Sequence, residues 1–129
     1  MKFLPPWKIP SLLRAVTCVV IPERDFPIAL HSPILPREVM AVGRCLILSS
    51  DLYRKRISPK IKDKENVLVV DPKDINAFST TLRKVIQNPD LAEEIGERAR
   101  AVSEEIENFD EYIEKTIFLY RDALIMKTA

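Results

Sequence analysis

Three consecutive residues, Pro36, Arg37 and Glu38, have the chemistry to bind an anionic ligand at the start of a short helix. Proline is favoured in a first helical turn, where backbone N–H groups lack partners and point outward. Such amides attract phosphate groups, and an arginine adds a charged donor or remains a solvated surface charge. Glu38 has two interpretations: it accepts hydrogen bonds from paired hydroxyls, as on a ribose, or it stabilises its own helix as a first-turn carboxylate.

The loop before this helix, residues 23–35, carries further polar candidates. Glu23 directly follows an apolar run, and His31 and Ser32 lie later in the loop. No serine or cysteine has a clear histidine–acid relay, so nucleophilic catalysis is not expected. Glu23 and His31 are the candidate catalytic residues, with a solvated or structural loop role as the alternative for each.

Composition and residue spacing argue against several other classes of function. The chain has 20 basic and 19 acidic residues, so its bulk charge indicates no nucleic-acid partner. The single histidine and the cysteines Cys18 and Cys45 lack the spacing of a metal site, and both cysteines fall in predicted buried strands. No apolar run is long enough for a membrane span or a signal peptide, which favours a cytoplasmic location.

Alternating strands and helices must position these residues. Short apolar runs predict buried strands at 18–21, 45–48 and 66–70, after a very short strand at 2–4. Helices are expected at 10–15, 36–42 and 50–56, and an exposed loop at 58–65. Three amphipathic helices follow, near 75–86, 89–106 and from 109 onward, with Asp74 and Gly43 as expected cap residues.

This order indicates an α/β fold, a parallel sheet between helix layers with three C-terminal helices, as one domain over the 129 residues. Ligands of such sheets bind outside the carboxyl ends of the strands, so the loops after Ile21, Leu48 and Val70 are the relevant ones. The glycine-rich first turn of an intact dinucleotide-binding domain is absent from a chain with two glycines.

Four segments carry a resemblance in the same order along the chain. Residues 9–22, IPSLLRAVTCVVIP, resemble a helix and strand that precede a donor site, and residues 37–49, REVMAVGRCLILS, resemble the motif LEAMACGTPVVAS. Residues 66–72, NVLVVDP, and 88–100, NPDLAEEIGERAR, resemble GLLVPPGD and PELRERLGEAAR. These motifs are similar to those of the C-terminal, donor-binding domain of retaining GT-B glycosyltransferases, in the glycosyl transferases group 1 family.

The resemblance implies a Rossmann-like donor-binding portion of a nucleotide-sugar-dependent glycosyltransferase that transfers a hexosyl group with retention. Glu38 matches the glutamate that binds the donor ribose, and Leu35, Pro36 and Arg37 would bring backbone amides toward the diphosphate, with Ser32 nearby. The donor is a nucleotide diphosphate sugar substrate, and no cofactor or metal is implied. Leu30 stands where the family has a first glutamate, eight positions earlier, so Glu23 or His31 would supply the polar group there.

The resemblance does not extend to an N-terminal acceptor domain or to the first strands of the donor domain. The strand at 18–21 would then form an open sheet edge, which favours pairing with another strand. The expected partner is either the missing N-terminal domain or a second copy of the chain, and little turnover is expected from the chain alone. The alternative function is a non-catalytic α/β interaction module with a degenerate nucleotide site, and a receiver-like signalling domain is less favoured.

Overall fold

A three-stranded parallel sheet lies at the centre of the computed structural model, which describes residues 4–27, 33–106 and 108–128. The strands are β1 (Cys18–Ile21), β2 (Cys45–Ser49) and β3 (Leu68–Val70), in the order β1-β2-β3. Ile21 pairs with Leu48, and Leu48 pairs with Val69, so the carboxyl ends are nearly level. The predicted α/β fold with a parallel sheet is confirmed.

The helices follow the predicted order, and polar side chains define where several of them begin. They are a 3-10 turn (Pro6–Lys8), α1 (Ile9–Arg14), α2 (Leu35–Ala41), α3 (Ser50–Arg54), α4 (Ile75–Gln87), α5 (Pro89–Ile106) and α6 (Phe109–Thr128). Ser49 Oγ accepts from Leu52 N at 3.2 Å before α3. The predicted cap Asp74 accepts from Ala77 N at 2.9 Å before α4. Each bond satisfies an amide that the first helical turn leaves open.

Strand β2 is buried over its whole length because helices cover both faces of the sheet. Leu46 and Leu48 pack on one side with Val39 and Met40 of α2 and with Ala99 of α5. Cys45 and Ile47 pack on the other side with residues of α4 and α5. By contrast, the first three residues of β1 are only half-buried, as an edge strand requires.

Both cysteines are free thiols in the sheet, paired side by side across β1 and β2. Burial raises the pKa of the Cys45 thiol to about 12, with a smaller contribution from Cys18. Burial also raises the pKa of Cys18. Both thiols are therefore protonated near neutral pH and act as small apolar residues, as the sequence predicted.

The segment before β3 differs from the sequence prediction. Residues 58–65 were expected as an exposed loop, but Ile61 is buried and the side chain of Asn66 holds the loop in place. Asn66 Oδ1 accepts from Lys62 N, and its Nδ2 donates to Lys60 O, both at 2.9 Å. Strand β3 therefore begins two residues later than predicted, because the side chain of Asn66 bonds to the backbone of the loop.

Other boundaries move by one or two residues. Helix α2 begins at Leu35 instead of Pro36, and α3 ends at Arg54 instead of near Arg56. Of the short strand predicted at 2–4, only Leu4 lies within the described residues, and it is not in a strand.

The two glycines of the chain meet where α5 crosses the end of α2. Gly43 has a φ of +70°, and as predicted it ends α2, where Arg44 N donates to Val39 O at 3.1 Å. A methyl group on Gly96 would lie 2.9 Å from the Gly43 carbonyl carbon and 3.1 Å from that of Arg44. Helix α5 therefore packs backbone against backbone on this turn.

Replacing Gly96 with alanine is expected to destabilise the fold by about 1–3 kcal/mol, because the new methyl group meets backbone atoms that cannot rotate away. By helix propensity alone, alanine would stabilise the helix by up to about 1 kcal/mol relative to glycine. The sign of the change in the free energy of unfolding therefore shows whether the backbone contact or helix propensity dominates. Chemical denaturation measures it, with the exposed Glu97→Ala as the control in the same helix. A Gly96→Ala protein as stable as the parent would contradict the close approach.

Candidate functional site

The loops that follow the three strands are joined at the carboxyl ends by a set of residues that we call the clasp: Asp25, Asp51 and Lys73. Asp25 N donates to Asp51 Oδ2 at 3.0 Å, which ties the loop after β1 to the start of α3. Lys73 Nζ lies 3.3 Å from Asp25 Oδ1 and adds the loop after β3. The structure therefore brings together the loops that the strand order singled out.

Hydrogen bonds and nearby positive charges stabilise the ionised carboxylate of Asp51 in the clasp. The Asp25 N–H holds the pKa of the Asp51 carboxyl below its usual range, helped by the positive charges of Arg54, Lys73 and Lys55. Arg54 also pairs directly with Asp51 Oδ1. Asp25 has a φ of +52°, a left-handed conformation that aspartate tolerates better than most residues. The bond to Asp51 stabilises this turn just beyond β1.

Helix α2 begins beside this edge of the sheet, but its first amides are largely used. Arg37 N donates to Ile34 O at 2.9 Å, and Glu38 N donates to the same oxygen at 3.2 Å. Pro36 has no N–H to offer. The sequence-based expectation that the amides of Pro36–Glu38 are unpaired is therefore wrong, because the helix starts one residue earlier than predicted.

The candidate binding residues of α2 point in different directions. Glu38 is half-buried, whereas Arg37 is exposed and lines a separate apolar groove together with Pro36. Consecutive helical positions are about 100° apart, which separates the carboxylate from the guanidinium. Leu35, at the first helical position, is 39% exposed.

The remaining candidates lie in the loop after β1. Glu23 is half-buried, with its Oε1 atom out of contact with solvent. Its position directly beyond Ile21 and Pro22 places it at the carboxyl end of the sheet. His31, Ser32 and Leu30 lie outside the described residues.

The apolar groove beside α2 was not foreseen from the sequence. It runs between α2, β2, α3 and the end of α5, and it holds a cavity of about 50 Å³. Met40, Leu52 and Ile61 are among its apolar walls, and Arg37, Lys55 and Arg56 are the charged residues that line it. Lys55, which lines this groove, is also one of the positive charges that lower the pKa of Asp51 in the clasp.

Sequence reasoning also missed the roles of Asp51, Lys73 and Gly96. The bond of Asp51 to Asp25 joins residues 26 positions apart. The available signal was positional: each clasp residue lies three or four residues beyond a predicted strand end, and such ends converge in a parallel sheet. Gly96 was an isolated glycine in a helical pattern, which indicates a close packing contact.

Two further findings concern the described part of the chain. No group of three or more histidine, cysteine or acidic side chains could hold a metal ion there. None of the described helices combines the length and the apolar character needed to cross a bilayer.

A family model described as glycosyl transferases group 1 matches residues 1–102, which include β1, α2, β2 and β3. The chain belongs to this family. The match confirms the family that the motifs indicated, and it covers the Glu38 segment and both glycines.

A solved structure supports the same fold. Sucrose-phosphate synthase from Thermosynechococcus elongatus superposes with a TM-score of 0.71 at 22% identity. The alignment covers 89% of this chain and 27% of the synthase chain. Together with the family, this likeness identifies a Rossmann-like domain of the GT-B type. A search of curated proteins found no match.

Removing the Asp51 carboxylate is expected to release the turn at Asp25. In Asp51→Ala, the Asp25 amide should exchange with solvent severalfold faster than in the parent, because its acceptor is gone. A carboxyl group whose pKa is lower in the folded than in the unfolded protein stabilises the fold at any pH above its pKa in the unfolded protein. That stabilisation is lost as the pH falls through its pKa in the folded protein. The difference between the two proteins should therefore fade as the solution is acidified through the lowered pKa of Asp51.

Amide exchange followed by NMR measures this effect, and the exposed Asp110→Ala serves as the control. The comparison is made at a pH above the pKa range of carboxyl groups. If the Asp25 amide exchanges equally fast there in Asp51→Ala and in the parent, the clasp does not hold this turn.

Proposed function

We propose that this chain is the donor-binding portion of a nucleotide-sugar-dependent glycosyltransferase that transfers a hexosyl group with retention. The donor is a nucleotide diphosphate sugar, and residues 1–129 act as one partial domain. The observation that carries the proposal is the family match over residues 1–102, a segment that includes Glu38. The resemblance of residues 37–49 to the family motif is our reason for giving Glu38 the role of the motif glutamate.

The position of Glu38 supports a role as ribose acceptor. A half-buried carboxylate near the carboxyl ends of the strands can accept two hydrogen bonds from neighbouring hydroxyls while the helix fixes its direction. Ionised acceptors form hydrogen bonds about twice as strong as neutral ones, so one such residue contributes substantially to affinity.

Side chains are better candidates than backbone amides for binding the diphosphate. Because the amides of Arg37 and Glu38 donate to Ile34, the exposed Arg37 guanidinium is a donor that this part of α2 offers, and the Leu35 amide stays a candidate. Arginine binds phosphate oxygens in a bidentate manner. Glu23, at the end of β1, is the described candidate for the polar group that faces the transferred sugar, and His31 and Ser32 stay candidates in the segment before α2.

Transfer by the purified chain is expected to be slow or absent. The chain aligns with 27% of the synthase chain, and a glycosyl transfer needs an acceptor site as well as a donor site. We therefore assign donor binding to this chain and leave the acceptor to another part of the enzyme.

Calorimetric titration with nucleoside diphosphates and their sugars tests the proposal. The parent is expected to bind one of these nucleotides, and Glu38→Ala to bind it about 10- to 100-fold more weakly, the loss of a hydrogen-bonded charge. Glu38→Gln, which keeps an acceptor oxygen, should lie between them. Circular dichroism of each variant separates lost binding from lost folding, because Glu38 also favours the start of its own helix.

The exposed Glu93→Ala, in α5, is the control and should bind like the parent. Equal affinity of Glu38→Ala and the parent would remove Glu38 from the site. Failure of every nucleoside diphosphate to bind would favour the second candidate, a non-catalytic α/β interaction module, which the half-buried edge strand and the exposed side chains of α6 support.

We further propose that another strand pairs with the outer edge of β1. Among the described residues, β1 pairs only with β2, and its first three residues are half-buried. The partner strand comes either from another part of the enzyme or from a second copy.

Hydrogen exchange at increasing protein concentration distinguishes the two sources. Concentration-dependent protection of the β1 amides that face away from β2 would indicate a second copy. Fast exchange of those amides at every concentration would point to the rest of the enzyme, and protection independent of concentration would show that the edge is covered within one chain.

A further inference from the structure

The apolar groove beside α2 encloses space that the side chains of the core do not fill. Its cavity of about 50 Å³ is lined by members of the packed core, among them Met40, Leu46 and Val67, which are exposed by 4% or less. Atoms that line such a space lack the dispersion contacts they would make in a filled one. An apolar group of the right size therefore gains contacts by entering.

The volume of the cavity limits what can enter. A cavity of about 150 Å³ holds one benzene molecule, so about 50 Å³ corresponds to roughly two or three aliphatic carbon atoms. An isopropyl group, at the end of a short aliphatic chain, has this size. A sugar ring or a nucleobase is too large, which separates this cavity from the proposed donor site.

The lining of the groove is positively charged at its exposed end. Arg37, Lys55 and Arg56 line it and are exposed, and the described lining residues include no acidic side chain. Ser103 is the uncharged polar residue of the described lining, and it is 6% exposed. The groove therefore combines a small apolar cavity with a cationic mouth.

Four described carboxylates are next to lining residues in sequence, and each is accounted for elsewhere. Three of them pair with cations outside the described lining, and the fourth lies on another side of α2: Asp51 with Arg54, Glu104 with Arg100, Glu105 with Lys60, and Glu38 about 100° around the helix from Arg37. The positive charge at the mouth is therefore not cancelled by a carboxylate of the described lining.

Arg37 is the best placed of the three cations to bind an anionic group. The Arg56 guanidinium lies 4.5 Å from the centre of the Tyr53 ring and donates to Tyr53 O at 3.3 Å. Lys55 is close enough to Asp51 to help lower the pKa of that carboxyl. Within the described residues, the side chain of Arg37 has neither a hydrogen bond nor an ion pair. Its guanidinium can therefore bind a carboxylate through two parallel hydrogen bonds.

We propose that this groove is a binding site for a short aliphatic carboxylate. The apolar end of the ligand fills the cavity beside Met40 and Ser103, and its carboxylate binds the guanidinium of Arg37 at the mouth. Two or three carbon atoms inside, one or two across the mouth and the carboxyl carbon make a ligand of about four to six carbon atoms. Lys55 and Arg56 add positive charge that favours an anion there.

NMR titration of the full chain with labelled methyl groups tests the site. The probes are acetate, butyrate and 3-methylbutyrate at constant ionic strength, and the methyl signals of Met40, Ile61 and Val67 should shift. The affinity should rise about fourfold for each carbon atom added until the cavity is full, because each buried methylene contributes a similar free energy. The methyl signals of Ile75, which is 77% exposed on α4, should not move.

Two substitutions separate the apolar end from the carboxylate. Ser103→Val replaces a hydroxyl in the lining with two methyl groups, so it should raise the melting temperature and weaken binding of 3-methylbutyrate at least about tenfold. Arg37→Met removes the charge and keeps an unbranched side chain. It should weaken binding of 3-methylbutyrate about tenfold and bind the uncharged 3-methyl-1-butanol like the parent. Arg83→Met, which changes an exposed arginine of α4, is the control and should bind both probes like the parent.

Three results would overturn the proposal. The first is a Met40 methyl signal that does not move at a ligand concentration of about 0.1 M. The second is equal affinity for acetate and 3-methylbutyrate, or equal affinity of Arg37→Met and the parent for 3-methylbutyrate. The third is contact, without ligand, between the Met40 methyl and residues outside the lining, since another segment or a second copy would then fill the cavity. Arg37 also serves the proposed function, but these measurements use no nucleotide and stand or fall separately from donor binding.

Discussion

The contact between Gly43 and Gly96 is the constraint on which the rest of the structure depends. It lets the backbone of α5 rest on the turn that ends α2, and it thereby fixes α2 against the buried strand β2. Since α2 is short, its direction is set by this packing and by Val39 and Met40 beneath it. The directions of Glu38 and Arg37, about 100° apart around α2, follow from that anchoring.

The carboxyl edge of the sheet and the apolar groove are two chemically different surfaces of the domain. At the edge, the clasp holds three loops through a carboxylate, a backbone amide and an ammonium group. A phosphate-bearing ligand would meet a polar, preformed border there, whereas the groove offers aliphatic walls with cations around them. Under the proposed function, the nucleotide binds at the first of these environments.

Much of the fold could be predicted because the spacing of apolar residues in strands and helices is a local signal. The β1 and β2 runs, the cap at Asp74 and the stop at Gly43 all depend on a few neighbouring residues. The clasp and the Gly96 contact could not be predicted, because they join residues far apart in sequence and depend on how the helices pack. The start of α2 was misplaced by one residue, and that shift alone changed which amides are open to a ligand.

Chemical-shift mapping by NMR tests the central claim, that the carboxyl edge around Glu38 is a nucleotide site. On addition of a nucleoside diphosphate to the labelled chain, the amide signals of Leu35 and Glu38, and of Asp25 in the clasp, should shift. The amides around Gly96, on the far side of α2, should stay unchanged. Absence of any shift at millimolar nucleotide, or shifts confined to the groove around Ile57 and Ile106, would contradict a nucleotide site at this edge.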